Sequence, residues 1–141
     1  MAAWDAVCDG LVAPEAFAAA LLARLPYAQE PLFCDWLTGL LRRIFWRWLD
    51  DGSREALGPY IEYACLMALE GAADAAGARA WFTRLRGLTS TAEGVTRLRA
   101  AWQARRIGGT PLTPADETAV AEALCVLDPG SAVEVLRLQR E

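Results

Sequence analysis

Residues Pro31–Leu49, PLFCDWLTGLLRRIFWRWL, carry the densest large apolar surface in the chain. On a helix turning about 100° per residue, Phe33, Trp36, Leu37, Leu40, Leu41, Ile44, Phe45 and Trp48 fall on one broad face, with Asp35, Thr38, Gly39 and Arg42 opposite. Other helices must cover such a face, because each large side chain taken out of water contributes roughly 1.5–3 kcal/mol. The rest of the chain is read outward from this helix.

Toward the N-terminus, Ala2–Asp9 reads as a short amphipathic helix stopped by Gly10. Pro14 suits the first turn of a second helix that ends near Leu25-Pro26. Beyond the central helix, Asp50-Asp51-Gly52 reads as a break, Ser53–Leu57 as a brief turn, and Gly58-Pro59 as the start of YIEYACLMALE, apolar on nearly every side and hence expected to be sandwiched. Gly71–Ala78 reads as a loose connection to a helix with Trp81, Phe82, Leu85 and Leu88 inward and Arg79 and Arg86 outward. Ser90 and Glu93 have the spacing of a capping box for a helix packing through Val95, Leu98 and Trp102. Gly108-Gly109 opens a loop, Thr113-Pro114-Ala115-Asp116 caps a helix running to Leu127, and Asp128-Pro129 starts a last one carrying Val133, Val135, Leu136 and Leu138. Those four residues share no narrow face, and the sequence stops at Glu141 without a C-cap signal, so an additional packing partner is expected there.

Composition agrees with helices. The 141 residues fit one domain, 28 are Ala and 20 Leu, and Val plus Ile number only 10. The expectation is an all-α protein of about eight helices in antiparallel hairpins, an armadillo- or HEAT-like array, with a globular bundle as the alternative. Every basic residue is Arg, as GC-rich bacterial coding would give.

The net charge of −4 speaks against a nucleic-acid binder. No apolar run reaches the roughly 18–20 residues of a membrane helix, and the start resembles no signal peptide, so a cytoplasmic protein is expected. Cys8, Cys34, Cys65 and Cys125 form no C-x-x-C pair and have no histidine beside them; reduced core thiols are expected. Without histidine, the common zinc hydrolase sites and the Ser-His-Asp and Cys-His arrangements have no ligands or base here. Glycine pairs make no phosphate loop, and the acid pairs Asp50-Asp51 and Asp116-Glu117 sit where capping accounts for them. No catalytic residue, metal site or cofactor is expected of this chain.

Binding has more to work with. Arg47 falls inside the apolar arc of the central helix, either to hold a carboxylate or to reach water or pair with Asp50 or Asp51. Trp46 lies on the polar side with Arg42 and Arg43, placed to stack on a guanidinium or to mark an interface, and Val135 and Leu138 on the last helix are further interface candidates. Between positions 79 and 106, seven arginines face the single acid Glu93; if they form a positive wall, Arg84, Arg97 and Arg99 would attract anionic partners or peptide carboxylates.

Trp81-Phe82, Thr91-Ala92-Glu93-Gly94-Val95, Leu98, Trp102, Leu112, Asp116, Ala121-Glu122-Ala123-Leu124 and Gln139-Arg140 resemble the C-terminal helical region of aminopeptidase N-type zinc metallopeptidases. Pro14-Glu15, Leu25-Pro26 and Phe45-Trp46-Arg47-Trp48-Leu49 look like an earlier part of it. In that family the region is a bowl of paired helices that closes over the catalytic domain and shapes the peptide chamber. The H-E-x-x-H zinc helix and the G-x-M-E-N motif have no counterpart here, so the resemblance implies a non-catalytic accessory domain. Its partner would be the catalytic domain of a metallopeptidase, in the same or a neighbouring chain, and it would touch peptide, with no nucleic acid and no membrane. The alternative is a free-standing helical scaffold that binds another protein.

Overall fold

A computed structural model describes Ala2–Gln139. Met1, Arg140 and Glu141 lie outside the described residues, and with them the Arg140 of the resemblance and the uncapped chain end. The chain divides into two compact units between Ala64 and Cys65. Helices dominate the described residues, whose strands form one minute hairpin, so the protein is all-α.

The first unit begins with α1 (Ala2–Cys8). Its end is a Schellman closure: the Gly10 N–H donates to the Val7 carbonyl at 3.1 Å and the Leu11 N–H to that of Ala6 at 2.8 Å. Gly10 takes φ +71°, a conformation that side chains resist. Helix α2 (Pro14–Arg24) runs into a 3-10 turn, Leu25–Tyr27. Next comes α3 (Pro31–Arg47), capped by the Glu30 carboxylate, which accepts from the N–H groups of Leu32 and Phe33.

Helix α3 packs on α2, and its buried residues are Cys34, Leu37, Thr38, Leu41, Ile44 and Phe45. This stripe is narrower than the arc expected from sequence and is rotated away from it. Phe33, Trp36 and Trp48, expected inside, are exposed, and Thr38, expected outside, is buried. The Thr38 hydroxyl donates to the Cys34 carbonyl at 2.7 Å, so the helix itself satisfies the group that the stripe buries. Ala18, Leu21 and Leu25 are the buried residues of α2 and its turn.

The break after α3 falls at residues 48–50, one step before the expected site, and Asp51 and Gly52 already belong to α4 (Asp51–Glu70). Helix α4 also runs through Gly58-Pro59, which the sequence marks as a boundary. A proline disfavours helix in the residue before it mainly by clashing with that residue's Cβ and N–H, and Gly58 has no Cβ. Nor is α4 covered all round: Ile61 and Cys65 are buried, whereas Tyr60, Tyr63 and Met67 are exposed.

The second unit contains α5 (Ala75–Leu88), α6 (Ala92–Ala104), strands β1 (Arg106–Ile107) and β2 (Thr110–Pro111), α7 (Pro114–Leu127), a 3-10 turn (Pro129–Ser131) and α8 (Ala132–Leu138). The loose connection shrinks to residues 71–74, since Asp74 accepts from the Gly77 N–H at 2.7 Å and starts α5. The cap of α6 is Thr91, not Ser90, and Glu93 turns to Arg97 instead of closing a box. Thr113 is the expected cap of α7, and Asp116, expected only as an early acid at the helix dipole, closes a capping box with it. Around α7 gather Phe82, Leu98, Trp102, Ile107, Leu112, Val120, Ala121, Leu124 and Val135, the core of this unit.

None of the four cysteines is in a disulfide, but only Cys34 and Cys65 are buried; Cys8 is exposed and Cys125 half-buried, so the expectation of four core thiols fails at these two. Among the described residues no helix is long and apolar enough to cross a membrane.

Candidate functional site

Rotation of the buried stripe leaves a second character on the far side of α3. Trp36, Arg42, Arg43, Trp46 and Arg47 project there, and together with Trp4 of α1 and Trp48 they line an open groove of about 770 Å³. Four of the chain's six tryptophans and three of its arginines thus stand around one cavity, with Asp35 as the single acid among the described residues of its wall, beside Gly39 and Leu40.

The rings are held by each other. Trp4 meets Trp48 edge to face with centroids 5.9 Å apart, and Phe33 stacks on Trp36 at 5.9 Å. Trp46 stands perpendicular to the fully buried Phe45 at 5.0 Å, so a core residue fixes an indole of the groove. Trp36 nevertheless keeps 55% of its surface exposed and Trp46 and Trp48 keep 41% each. The Arg43 guanidinium sits over the Trp4 ring, 5.8 Å from its centroid. Arg42 and Arg47 have no ion-pair partner among the described residues. The nearby acids are engaged elsewhere: Asp50 accepts from the Ser53 N–H at 2.7 Å, and Asp51 pairs with Arg54. The Asp50 carboxyl is held below the usual aspartate range, first by the Ser53 backbone N–H, then by the Ser53 side chain and Arg54.

The other residues singled out from sequence have different duties. Arg99 donates to the Asp128 carboxylate and the Ser131 hydroxyl, both at 2.6 Å, bracing the turn before α8. Arg97 pairs with Glu93 one helical turn away, and the Arg84 guanidinium lies 4.6 Å from the Trp81 ring centroid. Arg79 donates to the Pro111 carbonyl at 3.3 Å and lies 3.9 Å from Asp116, with its Nε enclosed and unbonded. The expected positive wall is therefore divided among local structural jobs. Burial pushes the Asp116 carboxyl up, but the Thr113 hydroxyl and N–H, with Arg79 and Arg86, outweigh it and leave the group below its usual range. Val135, expected at an interface, is fully buried in the core, and Leu138 packs partly against that core; Val133 and Leu136 are exposed on α8 in their place.

Trp46, Arg42 and Arg47 are thus brought together, while Arg84, Arg97, Arg99, Val135 and Leu138 lie in the second unit on other tasks. Trp4, Trp36 and Gly39 escape the sequence reading as site residues, whereas Arg43 stands beside Trp46 in it. The signal was present: Trp36, Gly39, Arg42, Arg43, Trp46 and Arg47 are linked by three- and four-residue spacings, but assigning Trp36 to the core face hid the pattern. Among the described residues no group of three or more His, Cys, Asp or Glu is placed to hold a metal ion. Compared with protein-family models, curated proteins and solved structures, the chain matches none. What the groove does has to be read from its own residues.

Proposed function

We propose that this chain is a non-catalytic α-helical module that binds a polypeptide, with the outward groove of α3 as its docking surface. The observation carrying the proposal is the exposure of Trp36, Trp46 and Trp48 beside Arg42 and Arg47, which have no ion-pair partner among the described residues. Covering each ring would contribute roughly 1.5–3 kcal/mol, and folding leaves that stabilisation unused. Trp and Arg also dominate the energetics of protein interfaces, the former through area and the latter through directed hydrogen bonds to carboxylates. The groove offers binding chemistry, and among its described residues no nucleophile stands beside a base.

The sequence resemblance to the helical region of aminopeptidase N-type metallopeptidases suggests one partner within this reading, the catalytic part of such an enzyme, and an armadillo- or HEAT-like arrangement of the helices would go with it. Phe82, Leu98, Trp102, Leu112, Ala121 and Leu124, which carry much of the resemblance, are core residues of the second unit. They speak for a way of packing and contribute nothing to the groove.

Selection of a random peptide library on the whole chain tests the proposal, with the Trp36→Ala/Trp46→Ala variant as counter-target. Enriched peptides should bind the parent chain and lose that binding on the variant, whose helical circular dichroism should be unchanged because both rings are outside the core. Peptides that bind parent and variant alike, or no enrichment, would overturn it.

A further inference from the structure

The groove has a notch at the middle of α3. Gly39 has Asp35 and Trp36 one turn before it on the helix surface and Arg42 and Arg43 one turn after it. A Cβ built at Gly39 meets no atom within 4 Å, so no packing inside the protein requires the side chain to be missing. Glycine is the poorest helix former apart from proline, and this one lies in a helix interior. Its absent side chain opens the helix surface to close approach from outside, between the indoles of Trp36 and Trp46.

Charge specifies what approaches. Arg42, Arg43 and Arg47 stand against Asp35 in the groove, on a chain whose net charge is −4. A long polyanion such as a nucleic acid or an anionic bilayer would meet the repulsion of the whole acidic protein, whereas a short segment meets mainly the local cations within a Debye length of about 8–10 Å. Resting on the binding role above, we propose that the occupant is an acidic polypeptide segment. Its carboxylates lie on Arg42, Arg43 and Arg47, and one of its apolar side chains seats on Gly39 between the two indoles.

The test uses the full chain and two blocked synthetic peptides, one of glutamates around a central leucine and one with every Glu replaced by Gln, titrated by tryptophan fluorescence. The Glu peptide should bind, should weaken as salt is raised, and should exceed the Gln peptide by about tenfold or more. Gly39→Leu, which fills the notch, should weaken the Glu peptide by about tenfold while its thermal midpoint stays at or above that of the parent. Equal binding of the two peptides, unchanged binding by Gly39→Leu, or tighter binding of single-stranded DNA or phosphatidylserine vesicles than of the Glu peptide would overturn the inference. Library-selected peptides that occupy the groove without acidic residues would sink this inference and leave the binding role standing. Failure of every peptide to engage the groove would sink both.

Discussion

Replacing Gly39 with alanine should make the protein more stable. Gly39 is in the interior of α3, where alanine is favoured over glycine by about 0.8–1 kcal/mol. The added methyl would meet nothing within 4 Å, so neither a clash nor a packing gain alters that figure. The expected gain is about 0.8 kcal/mol, or a rise in thermal midpoint of about 2–4 °C for a chain of this size. Urea unfolding followed by far-ultraviolet circular dichroism measures it, and the midpoint should rise with no change in slope. The same chemical change at Gly10 should act in the opposite direction by about 1–2 kcal/mol, because φ is +71° there and alanine must adopt a left-handed conformation. A Gly39→Ala midpoint at or below that of the parent would mean that something covers the floor of the groove, and the reasoning about the notch would fail with it.

Acidification should weaken the second unit through Asp116: its folded pKa is depressed, so its contribution is present above the unfolded value near 4 and is lost as pH falls through the folded one. The urea midpoints of the parent and Asp116→Asn should therefore differ at about pH 7 and converge toward about pH 2, and a constant gap would contradict the assignment. Arg99→Gln should lower stability by about 1 kcal/mol by releasing Asp128 and Ser131, yet leave Glu-peptide binding unchanged; weakened binding at unchanged stability would return Arg99 to the docking site. With added zinc, aminoacyl anilide hydrolysis should stay at background, and metal-dependent turnover would refute the non-catalytic reading.

Helix starts were legible at Pro14, Pro31 and Thr113 with Asp116, where a proline or a side-chain cap acts within a few residues. Glycine in a left-handed closure was equally legible at Gly10, because that signal is also local. Gly58-Pro59 misled for an instructive reason: each residue alone breaks helices, but together the missing Cβ removes part of the clash the proline would cause. Ser90 against Thr91 shows the same limit at finer scale, since adjacent hydroxyls offer two caps and only the built backbone selects one.

Composition and apolar spacing were sufficient to determine an all-α chain, because intrinsic propensity and a 3.6-residue period act along the sequence itself. Which side of α3 turns inward was decided by tertiary structure alone. Leu, Phe and Trp are apolar at every angle of the helix, and neighbouring α2 accepts the narrower stripe containing Thr38. That choice placed Trp36 beside Trp46, Arg42 and Arg47 on the outer face, where the residues that the sequence assigns to a core become a surface for a partner.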